Sequence, residues 1–536
     1  MSKTIIGLSF GNTSSSVAIM KDGVLEVIAN QDGDRAIPTM LSYAHGDEYY
    51  GAQAKQQLVR NPKNTVAFFR DFLANSYAKI DVSANHRSAH PVEDSEKLVA
   101  FKVVDGESEH TVSVNEIVVR YLKQLHTAAN DYIGKEIDGS VIAVPTNFSE
   151  QQRKLVAELA EKAGLPALQV INEPTAALLA HVSRPDIDAH ANKLFVVADF
   201  GGTRSDGAVI AYNGGIFTIL ATMHDLELGG RDLDEAIIEH LAKEFEKEYK
   251  VDPRKEERAM AKLAHEAELI KKTLSNSTTT QFGIESVASG FDFSGSLNRL
   301  RFEMVGRSAF TRIGDFVKHL VAKANVDVLD VDEVLLVGGT SWVPKVSSVV
   351  SGLFDSERTV IRSPNTDTKA IDPDELIARG AAIQASLVSN FDAEEIAESL
   401  QPVVTNGPHL AKPIGVKTAE GVTEILAINT LIPIRKTISI PAEGDVLIEI
   451  VEIEREIKVE TVKPEPKAAG EDEESDWSDD EDEEYEVRSR VVKPGKTLAQ
   501  LGITANGKAD IVVTISKDLK MQVAARSGSE HVAGTV

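Results

Sequence analysis

Apolar and polar positions along this chain follow two periods, and one arrangement of them occurs twice. From Thr4 to Ile28 (TIIGLSFGNTSSSVAIMKDGVLEVI) and from Leu194 to Leu220 (LFVVADFGGTRSDGAVIAYNGGIFTIL), β-branched runs are broken by glycine turns. Each stretch predicts strand, tight turn, strand, hairpin, strand. At an offset of 190, Ser9 falls on Asp199, Phe10 on Phe200, Gly11 on Gly201, Thr13 on Thr203 and Ala18 on Ala208. Glycine hairpins resemble one another by chance, but the shared Phe-Gly and the equal spacing favour an internal repeat.

Between and after the repeats the period changes to that of helices. Ser149 with Gln152 predicts a capping box, with Leu155, Val156, Leu159, Ala160 and Ala163 on one face and Gly164 as the stop. Further helices are predicted from Asp232 to about Tyr249, from about Arg254 to Leu274 and from Asp372 to about Val388. Small residues in the last of these, Gly380 to Ala382, predict close packing. Short apolar strands are predicted at Val141–Val144 and at Val334–Val337, the latter running into Gly338 and Gly339. Strands alternating with amphipathic helices define an α/β architecture. From about 402 to 460 and 487 to 525 the pattern becomes short β-runs, with turns predicted at Pro494-Gly495 and Asn506-Gly507.

Composition narrows the chemistry. A length of 536 residues predicts two to four domains. The chain has no cysteine, which excludes disulfides, thiolate zinc sites and cysteine nucleophiles. Its 13 histidines show no paired metal spacing and read as surface or core residues. A net charge of -26 argues against bulk electrostatic binding of nucleic acid. No apolar run approaches membrane-spanning length and the N-terminus lacks a leader pattern, so a cytoplasmic protein is expected. Of the sixteen residues Glu471 to Glu486, twelve are acidic. Such a run predicts a disordered insertion; a basic partner, tuned by phosphorylation at Ser475 or Ser478, is the lesser reading.

What the glycine loops could do is clear from their backbones: without side chains, their N–H groups can face a phosphate chain, and two such loops predict two lobes around a nucleotide. The segments GNTSSSVAI, AVPTNFSEQQR, INEPTAA, VVADFGGT, LGGRDLDEAI, KKTLSNST, LLVGGTSWVPKV and DPDELIARGAAIQAS together resemble the DnaK-type seventy-kilodalton heat-shock chaperones over about residues 4 to 390. KPIGVKTAEG and INTLIPIRKT extend the resemblance more weakly. It implies a duplicated actin-like ATPase fold over 1–390, a linker over 391–402, and a truncated, β-sandwich-like peptide-binding domain over 403–536 without a helical lid.

The resemblance also implies site residues. Gly11, Asn12 and Thr13 would form the first phosphate loop and Gly201, Gly202 and Thr203 the second. Gly230, Gly338 and Gly339 would line the floor, and Glu268, Lys271, Lys272 and Ser275 would hold ribose and adenine. ATP is the implied cofactor, and magnesium a possible one. Against this pattern Ser9 stands where the family has an acid, and Asn12-Thr13 where it has two threonines. Arg70 replaces the water-positioning lysine, Thr203-Arg204 a Gly-Thr pair, and Trp342 the base-stacking arginine. Glu173, Asp199 and Asp206 are kept. Because phosphoryl transfer depends on positioning, these changes predict ATP binding with little or no hydrolysis.

The linker stretch SNFDAEEIAESLQPVV disperses its apolar residues, Phe391, Ile396 and Leu400, so coupling between domains is expected to be weak. Taken together, the departures resemble the atypical branch of the family found in the fungal ribosome-associated complex. Its implied partners are a zuotin-like J-domain protein, the ribosome through that partner, a second ribosome-bound heat-shock chaperone and nascent polypeptide. The alternatives are an ATP-hydrolysing peptide-binding chaperone, a nucleotide-exchange factor of the large heat-shock type, and a small-molecule kinase, which INEPTAA and the β-rich C-terminal half oppose.

Overall fold

The computed structural model describes residues 3–82, 87–105, 108–188, 191–392, 394–396, 408–418, 421–462 and 485–536. The chain divides into two units, Met1–Val403 and Val404–Val536.

Within the first unit the repeated sequence becomes two sheets of one topology. In the first, the strands lie in the order Ala167–Asn172, Gly139–Val144, Ile5–Phe10, Ser14–Lys21, Val24–Ile28. In the second the order is Val360–Arg362, Glu333–Val337, Asn192–Phe200, Ser205–Asn213, Ile216–Asp225. In both, the central strand has a parallel neighbour on one side and two successive antiparallel hairpins on the other. The register places Ser9 opposite Ser16 in the first sheet and Asp199 opposite Asp206 in the second.

Each central strand is apolar over its middle, Ile5–Leu8 and Leu194–Ala198, because both faces are covered there. Val196, Ala198 and Phe200 pack toward Leu233, Ile237 and Phe316, whereas Phe195 and Val197 face Ala176, Ala177 and Leu335. Two helices cross between the lobes: Glu173–Val182 follows the edge strand of the first sheet, and Leu376–Val388 follows that of the second. Their small residues let the backbones nearly touch. A Cβ on Gly380 would lie 1.7 Å from the Ala176 carbonyl oxygen, and one on Gly7 would lie 2.1 Å from the Ala382 nitrogen. Ala381, Ala382 and Ala385 are fully buried there.

The capping box at Ser149 is formed, with Gln152 bonded to the Ser149 backbone, and Gly164 ends the turn at φ +82°. Two predicted helix starts move inward. Pro253 opens a short 3-10 turn, Pro253–Lys255, so the helix expected from Arg254 begins at Glu257. The helix expected from Asp372 begins at Leu376.

The second unit is a sandwich of two four-stranded antiparallel sheets sharing one core, with Val416, Ile450 and Ile503 from one sheet and Ile511, Val513 and Val523 from the other. The predicted short runs are here a long hairpin, Gly444–Val462 against Tyr485–Ala505. Pro494-Gly495 is therefore not a turn. Val451 pairs with Thr497 and Ile453 with Pro494, so one strand carries an extra residue, and a bulge is where a strand tolerates a residue without an N–H. Asn506-Gly507 does turn, with Gly507 at φ +80°, and carries the chain from one sheet to the other. Of the acidic run expected to be disordered, Tyr485 and Glu486 belong to the hairpin, opposite Val462 and Thr461. The remainder, with Ser475 and Ser478, lies outside the described residues, as do residue 393 and residues 397–402 of the expected linker. Among the described residues of this unit there is no helix.

Candidate functional site

Between the two sheets of the first unit lies a cleft of about 600 Å³, lined by both glycine loops, Glu173, Glu268, Lys271, Lys272, Ser275, Gly338, Gly339 and Trp342. That volume is typical of a site for a small ligand. The loops are built alike. Gly11 and Gly201 each turn so tightly that a Cβ would meet the carbonyl oxygen three residues on, Ser14 at 2.2 Å and Arg204 at 2.9 Å. They also interlock: Asn12 Nδ2 donates to Thr203 Oγ1 at 3.0 Å, and a Cβ on Gly202 would lie 2.6 Å from the Thr13 side chain. Gly338 is required twice over, by its φ of +81° and because a Cβ would come within 2.3 Å of Asp199 Oδ1.

On the floor of the cleft two buried arginines are committed to the acids. The Arg70 Nη1 donates to Glu173 Oε1 at 3.0 Å and to the Phe10 carbonyl at 3.0 Å, while its Nη2 lies 2.7 Å from Asp71. Arg204 forms a two-pronged pair with Asp206, Nε to Oδ2 at 2.6 Å and Nη2 to Oδ1 at 2.5 Å. Its Nη2 also donates to Asn147 Oδ1 at 3.1 Å, and its Nη1 is 3.4 Å from Asp71. His224 Nδ1 sits 2.6 Å from Asp206 Oδ1. The result is a continuous chain of side-chain contacts, Glu173, Arg70, Asp71, Arg204, Asp206, running from one lobe to the other. Two-pronged guanidinium–carboxylate pairs are among the strongest polar contacts a protein makes.

The acids respond differently. Burial pushes the Asp199 carboxyl up to about 7, with the Asp206 charge adding to it and Arg70 and Arg204 opposing. Burial likewise raises Glu173 to about 8; Arg70 pulls against this, and Asp206 and Asp199 reinforce it. Burial also works against ionisation of Asp206, yet the His224 contact and the Arg204 pair together hold it below its ordinary value.

At the rim, Lys55 of the first lobe reaches Glu268 of the second at 2.5 Å, and Lys272 joins the same carboxylate at 2.9 Å. Burial disfavours the Glu268 charge, but Lys55, Lys272 and Lys271 outweigh it and hold the group at about 2. Arg87 pairs with Glu235 across the same opening. Lys271 is occupied within its own lobe, 2.7 Å from Asp234 and 3.0 Å from the Gly230 carbonyl. Ser275 donates to the Lys271 carbonyl, and Trp342 Nε1 donates to Asp374 at 3.1 Å with its ring at the cleft.

The residues singled out from sequence line one cleft with the exception of Gly230, which is not among the lining residues and whose carbonyl accepts from Lys271. Arg70 is a buried partner of Glu173 rather than a group facing open space. Sequence reading missed Lys55, Asp71, Arg87, Asn147 and Asp234, which sit in stretches without a motif, and read His224 as an ordinary histidine.

A pair of like sheets with two crossing helices and two facing glycine loops defines a duplicated, actin-like fold. The family model described as Hsp70 protein matches residues 5–463, and the chain belongs to that family. It is 47% identical to the Ribosome-associated complex subunit SSZ1 of Saccharomyces cerevisiae, over 98% of this chain and 98% of that one. It is 41% identical to a heat shock protein 70 homolog of Schizosaccharomyces pombe, over 98% of this chain and 94% of the relative. With the Heat shock 70 kDa protein 2 of Paracoccidioides lutzii the identity is 31%, over 84% of this chain and 68% of the relative.

Membership assigns the chain to the chaperones and implies an ATP site with magnesium. The floor residues fit a hydrated divalent ion poorly. Magnesium is held through free carboxylate oxygens, waters and substrate phosphates. Both Asp206 oxygens are taken by Arg204, Glu173 is paired with Arg70, and Ser9 offers a neutral hydroxyl. No helix among the described residues is long and apolar enough to cross a membrane.

Proposed function

We propose that this chain holds ATP between its lobes as a structural ligand, hydrolyses it slowly or not at all, and acts as a chaperone subunit of a ribosome-associated complex in the cytoplasm. In this reading residues 1–390 form the nucleotide-binding domain, 391–402 the linker and 403–536 a substrate-binding-like domain. It pairs with a J-domain protein, reaches the ribosome through it, and co-stimulates a second, ribosome-bound heat-shock chaperone that folds nascent chains. The observation that carries the slow turnover is the pairing of Arg204 with Asp206 and of Arg70 with Glu173. A carboxylate gripped by a guanidinium group is held away from the position in which it would orient an attacking water, and displacement of a reacting group by about 1 Å can cost on the order of 100-fold in rate. The complex itself is argued from the 47% identity to a relative carrying that name.

ATP in this role stabilises the folded lobes by linkage, at a level set by its concentration relative to its dissociation constant. The test is a gentle purification of the chain from its own cells, followed by identification of the co-eluting proteins and the bound nucleotide. Co-elution of a J-domain protein with intact ATP is the expected result. A free chain that turns ATP over in a single-turnover assay, with a rate that falls on Asp199→Asn, overturns the proposal.

A further inference from the structure

The poor fit of magnesium to the cleft has a positive counterpart in Arg204. We propose that the Arg204 guanidinium takes the place of the metal in balancing charge, so that this chain binds its nucleotide as the metal-free anion with an affinity that does not depend on magnesium. The proposal rests on the ATP-clamp reading above and says how the same site handles the phosphates.

Charge provides the first argument. Relative to a site with an acid at position 9 and a threonine at 204, this chain has lost one negative charge at Ser9 and gained one positive charge at Arg204. Over these two positions the site is therefore more positive by two units, the charge of one magnesium ion. The exchange of lysine for Arg70 leaves the sum unchanged.

Geometry provides the second. Arg204 is only 6% exposed and lies among the residues lining the cleft, next to both phosphate loops. It is fixed from three directions by Asp206, Asn147 and Asp71. A guanidinium held in this way is permanently charged, planar and preorganised, whereas a hydrated ion has to find ligands. The acids left for an ion are few: among the described residues, Asp199 is the one member of Glu173, Asp199 and Asp206 without an arginine in ion-pair contact. Contacts from Asp71 and Asn147 in the first lobe to Arg204 in the second also make this cation part of the closed cleft.

The experiment is calorimetric titration of ATP into the nucleotide-free full-length chain, once with excess magnesium and once with excess EDTA. The expected dissociation constants differ by less than about tenfold. Binding that weakens tenfold or more in EDTA overturns the inference and leaves the ATP clamp standing. Failure to bind in either condition overturns both. Two variants make the assignment specific: Arg204→Thr is expected to acquire a magnesium requirement of at least about tenfold, and Arg204→Lys, which keeps the charge, to stay insensitive. An Arg204→Thr chain whose unfolding transition matches wild type but which binds equally well in both conditions also overturns it.

Discussion

The two glycine loops share a backbone and differ in chemistry. At the same register the first loop and its strand present Ser9, Ser14 and Ser16, and the second presents Asp199, Arg204 and Asp206; all six line the cleft. In the second loop two acids stand directly opposite each other across a strand pair, an arrangement that repels, and Arg204 relieves it by gripping one of them. The first loop has no such conflict because three hydroxyls replace the charges. One half of a duplicated fold has been neutralised outright and the other neutralised from within, while the tight turn with its Gly11 or Gly201 and the crossing helix recur in both.

The largest expected effect comes from breaking the seam that makes the halves comparable. Gly380→Leu drives a side chain into the Ala176 carbonyl, and loss of the folded first unit, by more than about 3 kcal/mol, is expected in urea denaturation followed by circular dichroism. Gly283→Ala, where nothing lies within 4 Å and φ is unexceptional, is expected to stay within about 0.5 kcal/mol. Equal midpoints for the two variants would remove the crossing helices from the argument.

A smaller effect is expected from restoring symmetry. Ser9→Asp puts a third acid beside Glu173 and Asp199 at a position 8% exposed, and should destabilise the nucleotide-free chain by about 2–3 kcal/mol at neutral pH. Ser9→Asn, uncharged and of similar size, should cost about 1 kcal/mol or less. If Asp and Asn prove equally mild, the floor is better solvated than its geometry indicates.

The third effect is a slope, spread over pH and over any one pH unit smaller than the other two. Asp199 titrates near 7 in the fold against an ordinary value of 3.8, so between these values the folded chain keeps a proton that the unfolded chain has released. Stability from this group is therefore present at low pH and is lost as pH rises through the window, by no more than about 1.4 kcal/mol per pH unit. Asp199→Asn removes the effect, so wild type should fall relative to the variant across about pH 5 to 7. A difference between the two that stays flat over that range would contradict the raised value.

Much of the fold was legible because the repeat writes it twice. Ser9 and Asp199 mark central strands at a spacing that survives in both sheets, and Ser149 with Gln152 and Gly164 marked a helix at both ends. Pro494-Gly495 misled because a proline–glycine pair signals a turn unless the partner strand absorbs the extra residue, and pairing is a long-range property. In the site, the glycines and charged residues could be gathered from their motifs, and Arg204 could be seen to alter its loop. That its side chain folds back onto an acid two residues on depends on the turn at Gly201. That Asp71 and Asn147 brace it depends on two lobes meeting. Lys55 and Arg87 lie in segments with no local pattern, and only the closed cleft gives them partners.

The helix Leu376–Val388 has a consequence for how the chain emerges during its own synthesis. The last strand of the first sheet ends at Asn172, but one face of that sheet, at Ile5, Ala18, Val27 and Val141, is covered by Ala378, Ala381, Ala382 and Ala385. More than 200 further residues must be made before the cover arrives, on the order of 10–40 s at ordinary elongation rates of about 5–20 residues per second. For that interval the nascent first lobe carries an open apolar sheet face next to the machine that is making it. A protein proposed to guard other chains at that moment would itself pass through a stage that needs guarding.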